Sequence, residues 1–278
     1  MPPSERDPYA PRLPGEPALA TANGAPQRSS GGALKGGIGA VLLGILAKGK
    51  GLLVMLKALP FAKLLLTGGS MAVTVALYAW RGGLPFAIGL VTMIFIHEMG
   101  HGVAMKRAGV EAGWPVFIPF FGAMIAMKGR PNHPRVEADI AYGGPLAGTA
   151  AALACAAIGL WQHSHFFLML AYMGFMLNLF NMTPFGFLDG GRIARVLSRK
   201  ATIIGAVIMG VLCLTGGSPS LLLITAMAGM SAFRRDNSDL ELVTAEDRKT
   251  WAVRYFGLCG FFGVALFLTS QLIGKHLS

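Results

Sequence analysis

The sequence predicts an all-α polytopic membrane protein of about six to seven transmembrane helices, with a short β-hairpin or membrane-dipping loop after the second of them. Three observations predict it. Of 278 residues, 54% are hydrophobic and only 13% charged, where a soluble domain carries about a quarter charged residues. Long apolar runs alternate with short basic segments, the pattern of repeated bilayer crossings. Finally, of the 24 Lys and Arg residues, all but Arg81 and Lys275 fall on one side of the membrane when the N-terminus is placed in the cytoplasm. Such asymmetry marks the cytoplasmic face. It also accounts for the net charge of +11 without nucleic acid, which is not expected as a partner.

Residues 1–33, rich in Pro, Gly, Ser and Ala, read as a disordered cytoplasmic tail rather than a secretory signal. Residues 34–63 carry Lys35, Lys48, Lys50, Lys57 and Lys63 among apolar residues, and are expected to lie on the inner surface as an amphipathic juxtamembrane segment. Candidate spans follow at about 64–80, 84–106, 137–161, 166–184, 201–216, 218–232 and 251–273. The fifth and sixth are short enough to form a hairpin that does not fully cross. Residues 64–200 thus form a membrane core, and 201–278 add C-terminal helices with a cytoplasmic loop at 233–250. Between the second and third spans, WPVFIPFFGAMIAMKGRP is broken by Pro115, Pro119 and Gly122. Non-helical backbone at membrane depth is tolerated only beside protein or a wet cavity. The three cysteines, Cys155, Cys213 and Cys259, lie singly in apolar runs and read as small core hydrophobes.

Of thirteen acidic residues, only Glu98 and Asp189 belong to the apolar helical core and its direct extension. A charge there costs kilocalories, so each is a functional candidate. Glu98 sits in HEMGH, residues 97–101. On a helix, positions i and i+4 share a face, so His97 and His101 can offer two imidazole nitrogens to one tetrahedral Zn²⁺. Glu98 then stands beside the metal's open position as general base. A catalytic zinc has three protein ligands and a water. His133, His163 and His165 lie in loops and His276 in the terminal tail, which leaves Asp189 as the natural third ligand. The depths roughly agree: by helical rise His97 is about 13 Å, His101 about 8 Å and Asp189 about 5 Å from the inner basic boundary. A bend over Pro184–Gly186 has to close that gap, and Gly190 and Gly191 relax the backbone around Asp189.

HEMGH in one span and N-M-T-P-F-G-F-L-D-G, residues 181–190, in a later one resemble the site-2 protease family of intramembrane zinc metalloproteases, peptidase family M50. FIPFFGAMIAMKGRP resembles that family's loop after the zinc helix, and EADIAYGGPLAG the start of its third core helix. The resemblance covers about residues 64–200. It implies one zinc per chain held by His97, His101 and Asp189, with Glu98 as general base and later proton donor. It implies that Asn181 hydrogen-bonds the substrate or the developing oxyanion. It further implies that Phe117, Ile118, Phe121, Gly122 and Ala123 pair with an unwound substrate strand. The expected reaction is hydrolysis of a peptide bond in or near the transmembrane segment of a membrane-protein substrate, with the active site toward the cytoplasm. There is no room for a PDZ or CBS domain, so regulation would fall to the tail, the 233–250 loop or a partner.

Two other readings compete. A protease-like scaffold without activity has no need of Glu98 beside the metal. A metal transporter needs polar groups along a path through the membrane, and the outer halves of these spans are apolar. Arg192, Arg195, Arg199 and Lys200 read as an inner-surface anchor, Gly143, Gly144 and Gly148 as sites of close helix packing, and His163 and His165 as an accidental pair.

Overall fold

The computed structural model describes residues 62–119, 122–129, 131, 133–215 and 241–275. The expected tail at 1–33, nearly all of the 34–63 segment, the 218–232 span, Phe121 and most of the 233–250 loop lie outside them. Seven helices and one hairpin make up the described residues: α1 (Ala62–Gly82), α2 (Leu84–Arg107), β1 (Glu111–Ile118), β2 (Gly122–Lys128), α3 (Pro134–Trp161), α4 (His165–Asn181), α5 (Asp189–Ala194), α6 (Arg199–Thr215) and α7 (Ala245–Lys275). Three of them, α2, α3 and α7, are long and apolar enough to cross a membrane, and α4 is a shorter apolar helix.

The helix boundaries follow local chemistry. Helix α2 begins behind Gly83, with Pro85 in its first turn, and ends with Lys106 and Arg107 against its own negative dipole end. Gly109, at φ +68°, then closes it: Gly109 N–H donates to Lys106 C=O and Val110 N–H to Met105 C=O. That reciprocal pair is a Schellman motif, and its left-handed residue favours glycine. Helix α3 begins at Pro134 behind His133, whose Nδ1 accepts the Arg135 N–H at 3.1 Å.

Helix α2 packs on α1 and α3, α3 on α4 and α5, and α4 on α7. The main core brings together residues of five helices, including Met93, Ala141, Phe175, Ile193, Trp251, Tyr255 and Phe262. The α2–α3 crossing is set by glycines. A Cβ on Gly100 would lie 2.3 Å from the Gly143 carbonyl oxygen, and one on Gly143 would lie 2.7 Å from that of Gly100. Small residues let two backbones touch in this way.

The broken segment after α2 is an antiparallel hairpin, pairing Pro115 with Ile125, Phe117 with Ala123 and Ile118 with Gly122, with a register irregularity between Ala112 and Pro115. Its outer β1 edge meets α1: Thr67 Oγ1 donates to Pro115 C=O at 2.6 Å, and Phe117 N–H donates to Ser70 Oγ at 3.1 Å. Both Pro115 and Phe117 therefore direct their backbone polar groups away from β2. In an antiparallel ladder their partners Ile125 and Ala123 do the same on the far edge of β2.

Candidate metal centre

The site grows from helix spacing. His97 and His101 fall on the same buried face of α2, 3% and 5% exposed. Asp189, 5% exposed, arrives from the other side of the molecule. The chain leaves α4 at Asn181, turns through Pro184 and through Gly186 at φ +50°, and enters α5 at Asp189. This bend closes the depth gap. Asp189 Oδ2 lies 3.1 Å from His97 Nε2, and its Oδ1 lies 3.2 Å from His101 Nε2. Gly190 and Gly191 serve close approach here rather than backbone freedom. A Cβ on Gly190 would stand 2.0 Å from the Met182 carbonyl oxygen, and one on Gly191 would stand 2.6 Å from the Phe185 carbonyl.

The protonation of the histidines can be read from their other nitrogens. Asn178 Nδ2–H donates to Gly174 C=O at 2.7 Å, which turns its Oδ1 toward His97 Nδ1 at 2.8 Å. Oδ1 can only accept, so His97 carries its proton on Nδ1. The Ile140 carbonyl accepts from His101 Nδ1 at 2.8 Å in the same sense. In the neutral rings both Nε2 atoms then present lone pairs, 3.2 Å apart, to each other and to a carboxylate. Three electron-pair donors gathered in a buried space repel one another. A proton relieves one pair of them, whereas a divalent cation satisfies all three. Ligand atoms about 2.0–2.1 Å from a tetrahedral zinc stand about 3.3 Å apart, so the observed spacings fit that ion. The fourth side is trimmed as well: a Cβ on Gly144 of α3 would lie 2.2 Å from His101 Nε2 and 2.7 Å from His97 Nε2.

Glu98 is buried next to the cluster, within electrostatic reach of His97 and Asp189, and lies beside the Ile125 backbone of β2. Behind Asp189 stands a cation. Arg192 Nη1 is 3.8 Å from Asp189 Oδ1, and its Nε is 3.7 Å from Glu137 of α3. Arg195 also pairs closely with Glu137. The sequence grouped both arginines with a surface anchor; the structure pairs both, partly exposed, with Glu137.

Residues 85–163 and 160–215 match the family model for peptidase family M50. These residues are similar to the M50 peptidases. Among similar proteins of this kind, a Mycobacterium tuberculosis protein named as zinc metalloprotease Rip3 is 33% identical over 128 residues, 43% of this chain and 32% of that protein. Two Arabidopsis thaliana proteins named as zinc metalloproteases also align. EGY2 is 26% identical over 197 residues, 55% of this chain and 34% of its own length. EGY1 is 26% identical over 168 residues, 44% of this chain and 31% of its own. The chain thus spans about a third of the length of these relatives. Three helices long and apolar enough to cross a membrane, together with this likeness to M50 peptidases, support an integral membrane protein.

Within the stretch that matches the M50 model, His97, Glu98, His101 and Asp189 are brought together. Asn181 ends α4, half-buried, while the amide that reaches the cluster is Asn178, three residues earlier. Phe117, Ile118, Gly122 and Ala123 form the end of the hairpin and pair with one another. Sequence reading passed over Asn178, although a polar residue in the apolar run HFFLMLAYMGFMLNLFN was its signal.

Proposed function

We propose that the chain is an intramembrane zinc endopeptidase of the site-2 type, hydrolysing a peptide bond in or near the transmembrane segment of a membrane-protein substrate. One observation carries this reading: two imidazoles and a carboxylate converge beside a buried glutamate, between apolar helices in the stretch similar to M50 peptidases. His97, His101 and Asp189 would hold one zinc per chain. Zinc held there supplies a Lewis acid that lets water act as a nucleophile near neutral pH. Glu98 takes the proton of the attacking water and returns it to the departing amine. Asn181, at the mouth of the turn that carries Asp189, offers its amide to the substrate carbonyl.

A helical substrate hides its amides and has to unwind first. With the outer edge of β1 engaged by Thr67 and Ser70, an unwound strand is received on the far edge of β2. There Ala123 lies two residues from Ile125, the neighbour of Glu98. Phe117, Ile118 and Gly122 shape the end of that platform, and Phe121, outside the described residues, is proposed to join them. The orientation is N-terminus inside, with the active site toward the cytoplasm and six to seven helices crossing in the full chain. Trp80, 88% exposed, and Trp161, 80% exposed, stand at the ends of α1 and α3 that this orientation places outside, where an aromatic belt belongs.

The test is zinc content and cleavage of a membrane-anchored reporter by the purified chain, against Asp189→Ala and Glu98→Gln. About one zinc in wild type and Glu98→Gln, none in Asp189→Ala, and cleavage by wild type alone are the expected results. Full zinc in Asp189→Ala would remove the aspartate from the ligand set. A zinc-free, inactive wild type supplied with zinc would favour the scaffold.

A further inference from the structure

The two histidines of the cluster are held by unlike means. His101 is oriented by a backbone carbonyl, that of Ile140 on α3, which no side-chain substitution removes. His97 is oriented by the side-chain oxygen of Asn178 on α4. From this difference we infer that Asn178 is a positioning residue of the metal centre. Its Oδ1 fixes His97 in the Nδ1–H form and so aims the Nε2 lone pair at the metal position. Gly148 of α3 is the gap that lets the amide stay there. The inference rests on the metalloprotease reading above and deepens it.

The geometry is closed on every side. Asn178 is 1% exposed, so water does not substitute for its oxygen. Its amide cannot rotate end for end without loss, because Nδ2–H is already given to Gly174 C=O at 2.7 Å. A rotated amide would set its NH₂ against the Nδ1–H of His97 and a carbonyl oxygen against that of Gly174. A Cβ on Gly148 would lie 2.3 Å from Oδ1 and 2.6 Å from Nδ2, so even alanine there drives the amide off its line. Neutral imidazole carries its proton on either nitrogen, and the Nε2–H form has no lone pair to offer on that side. Removing the acceptor frees His97 to adopt that form and to swing about its side-chain torsions. Outer-shell partners of ligating histidines typically account for about 10–100-fold in metal affinity. Asn178 lies three residues before Asn181, and its task is separate from the substrate role proposed for Asn181.

The experiment measures zinc affinity of the full-length chain in detergent by competition with a chelator, alongside reporter cleavage. Asn178→Leu keeps the volume and removes the acceptor. It is expected to weaken zinc binding about 10–100-fold, with kcat at saturating zinc less affected than affinity. Gly148→Ala is expected to weaken binding in the same direction while leaving Asn178 in place. Asn178→Asp keeps an acceptor opposite Nδ1–H while it loses the donor to Gly174 C=O, and is expected to bind zinc more tightly than Asn178→Leu. His97→Ala is measured in parallel. If it loses zinc while Asn178→Leu binds like wild type, the positioning role is overturned and the metal centre stands. If Asn178→Leu and Asn178→Asp weaken binding equally, Asn178 acts by packing alone and the inference fails. If His97→Ala binds zinc as tightly as wild type, the ligand assignment falls and the inference falls with it.

Discussion

The metal centre and the hairpin lie side by side, yet they are built by opposite rules. Around the histidines, α2 and α3 touch backbone to backbone at Gly100 and Gly143. Each imidazole Nδ1 has a buried partner, and a cation stands behind Asp189. The hairpin is attached to α1 by two hydroxyl contacts, is anchored in the core by Phe117 and Ile125, and carries a register irregularity. It exposes Trp114, Ile118 and Met124. The difference teaches a division of labour. Ligand geometry must be held to fractions of an ångström, and close-packed helices do that. The hairpin, anchored by buried Phe117 and Ile125, instead leaves main-chain edges and exposed apolar side chains, the features that the proposed strand pairing would use.

Substitutions can break this comparison, and the largest effects should fall in the metal centre. Glu98→Gln should lower kcat about 10²–10⁴-fold while zinc content, measured by atomic absorption, stays at the wild-type level. Next comes Gly144→Ala, where the new methyl meets both Nε2 atoms. Such overpacking costs about 1–3 kcal/mol and should appear as weaker zinc binding in a chelator titration. A Gly144→Ala protein that binds zinc normally would show the cradle to be softer than described.

The hairpin should respond differently. Thr67→Val removes the hydroxyl that Pro115 C=O receives, a loss of about 0.5–1.5 kcal/mol. It should raise KM for a membrane-anchored reporter several-fold and leave zinc affinity alone. Loss of zinc in this variant would erase the distinction between the two regions.

The smallest effect concerns pH. His133 uses Nδ1 to accept the Arg135 N–H and Nε2–H to donate to Leu242 C=O at 2.8 Å. Burial pushes its pKa below the usual 6.5, with Leu242 and Asp247 pulling it up and Arg135 adding to the depression. The unfolded chain thus binds a proton that the folded chain refuses. Stability from this contact is fully present above about pH 6.5 and declines as the pH falls from there toward the folded value. Thermal midpoints of wild type and His133→Gln should converge on acidification through that window. Parallel curves would assign the acid sensitivity elsewhere.

Much of this was legible from residues alone. Apolar length marked α2, α3 and α7, prolines and Gly122 marked the broken segment, and two carboxylates in apolar surroundings marked the centre. What escaped depends on how helices cross. Asn178 and Asn181 look equivalent in sequence, and only the passage of Gly148 over α4 decides which amide meets His97. Arg192 reads as an anchor until Glu137, 55 positions earlier, is seen across from it. Gly190 and Gly191 suggest a flexible turn, but their reason is a carbonyl 2.0 Å from where a Cβ of Gly190 would stand. Long-range proximity of this kind leaves no local pattern.

The last helix has a consequence for where the working unit ends. The family match stops at residue 215, but Tyr255 of α7 donates its hydroxyl to Met182 C=O at 2.6 Å. That same carbonyl lies under Gly190. Nearby, Arg135 meets Asp247 at 2.9 Å, and Trp251 stands edge-on to Tyr142. Helix α7 is therefore the keystone of the turn that presents Asp189. The smallest piece of this chain able to hold its aspartate in register extends at least to Phe262, well past the border that family likeness draws.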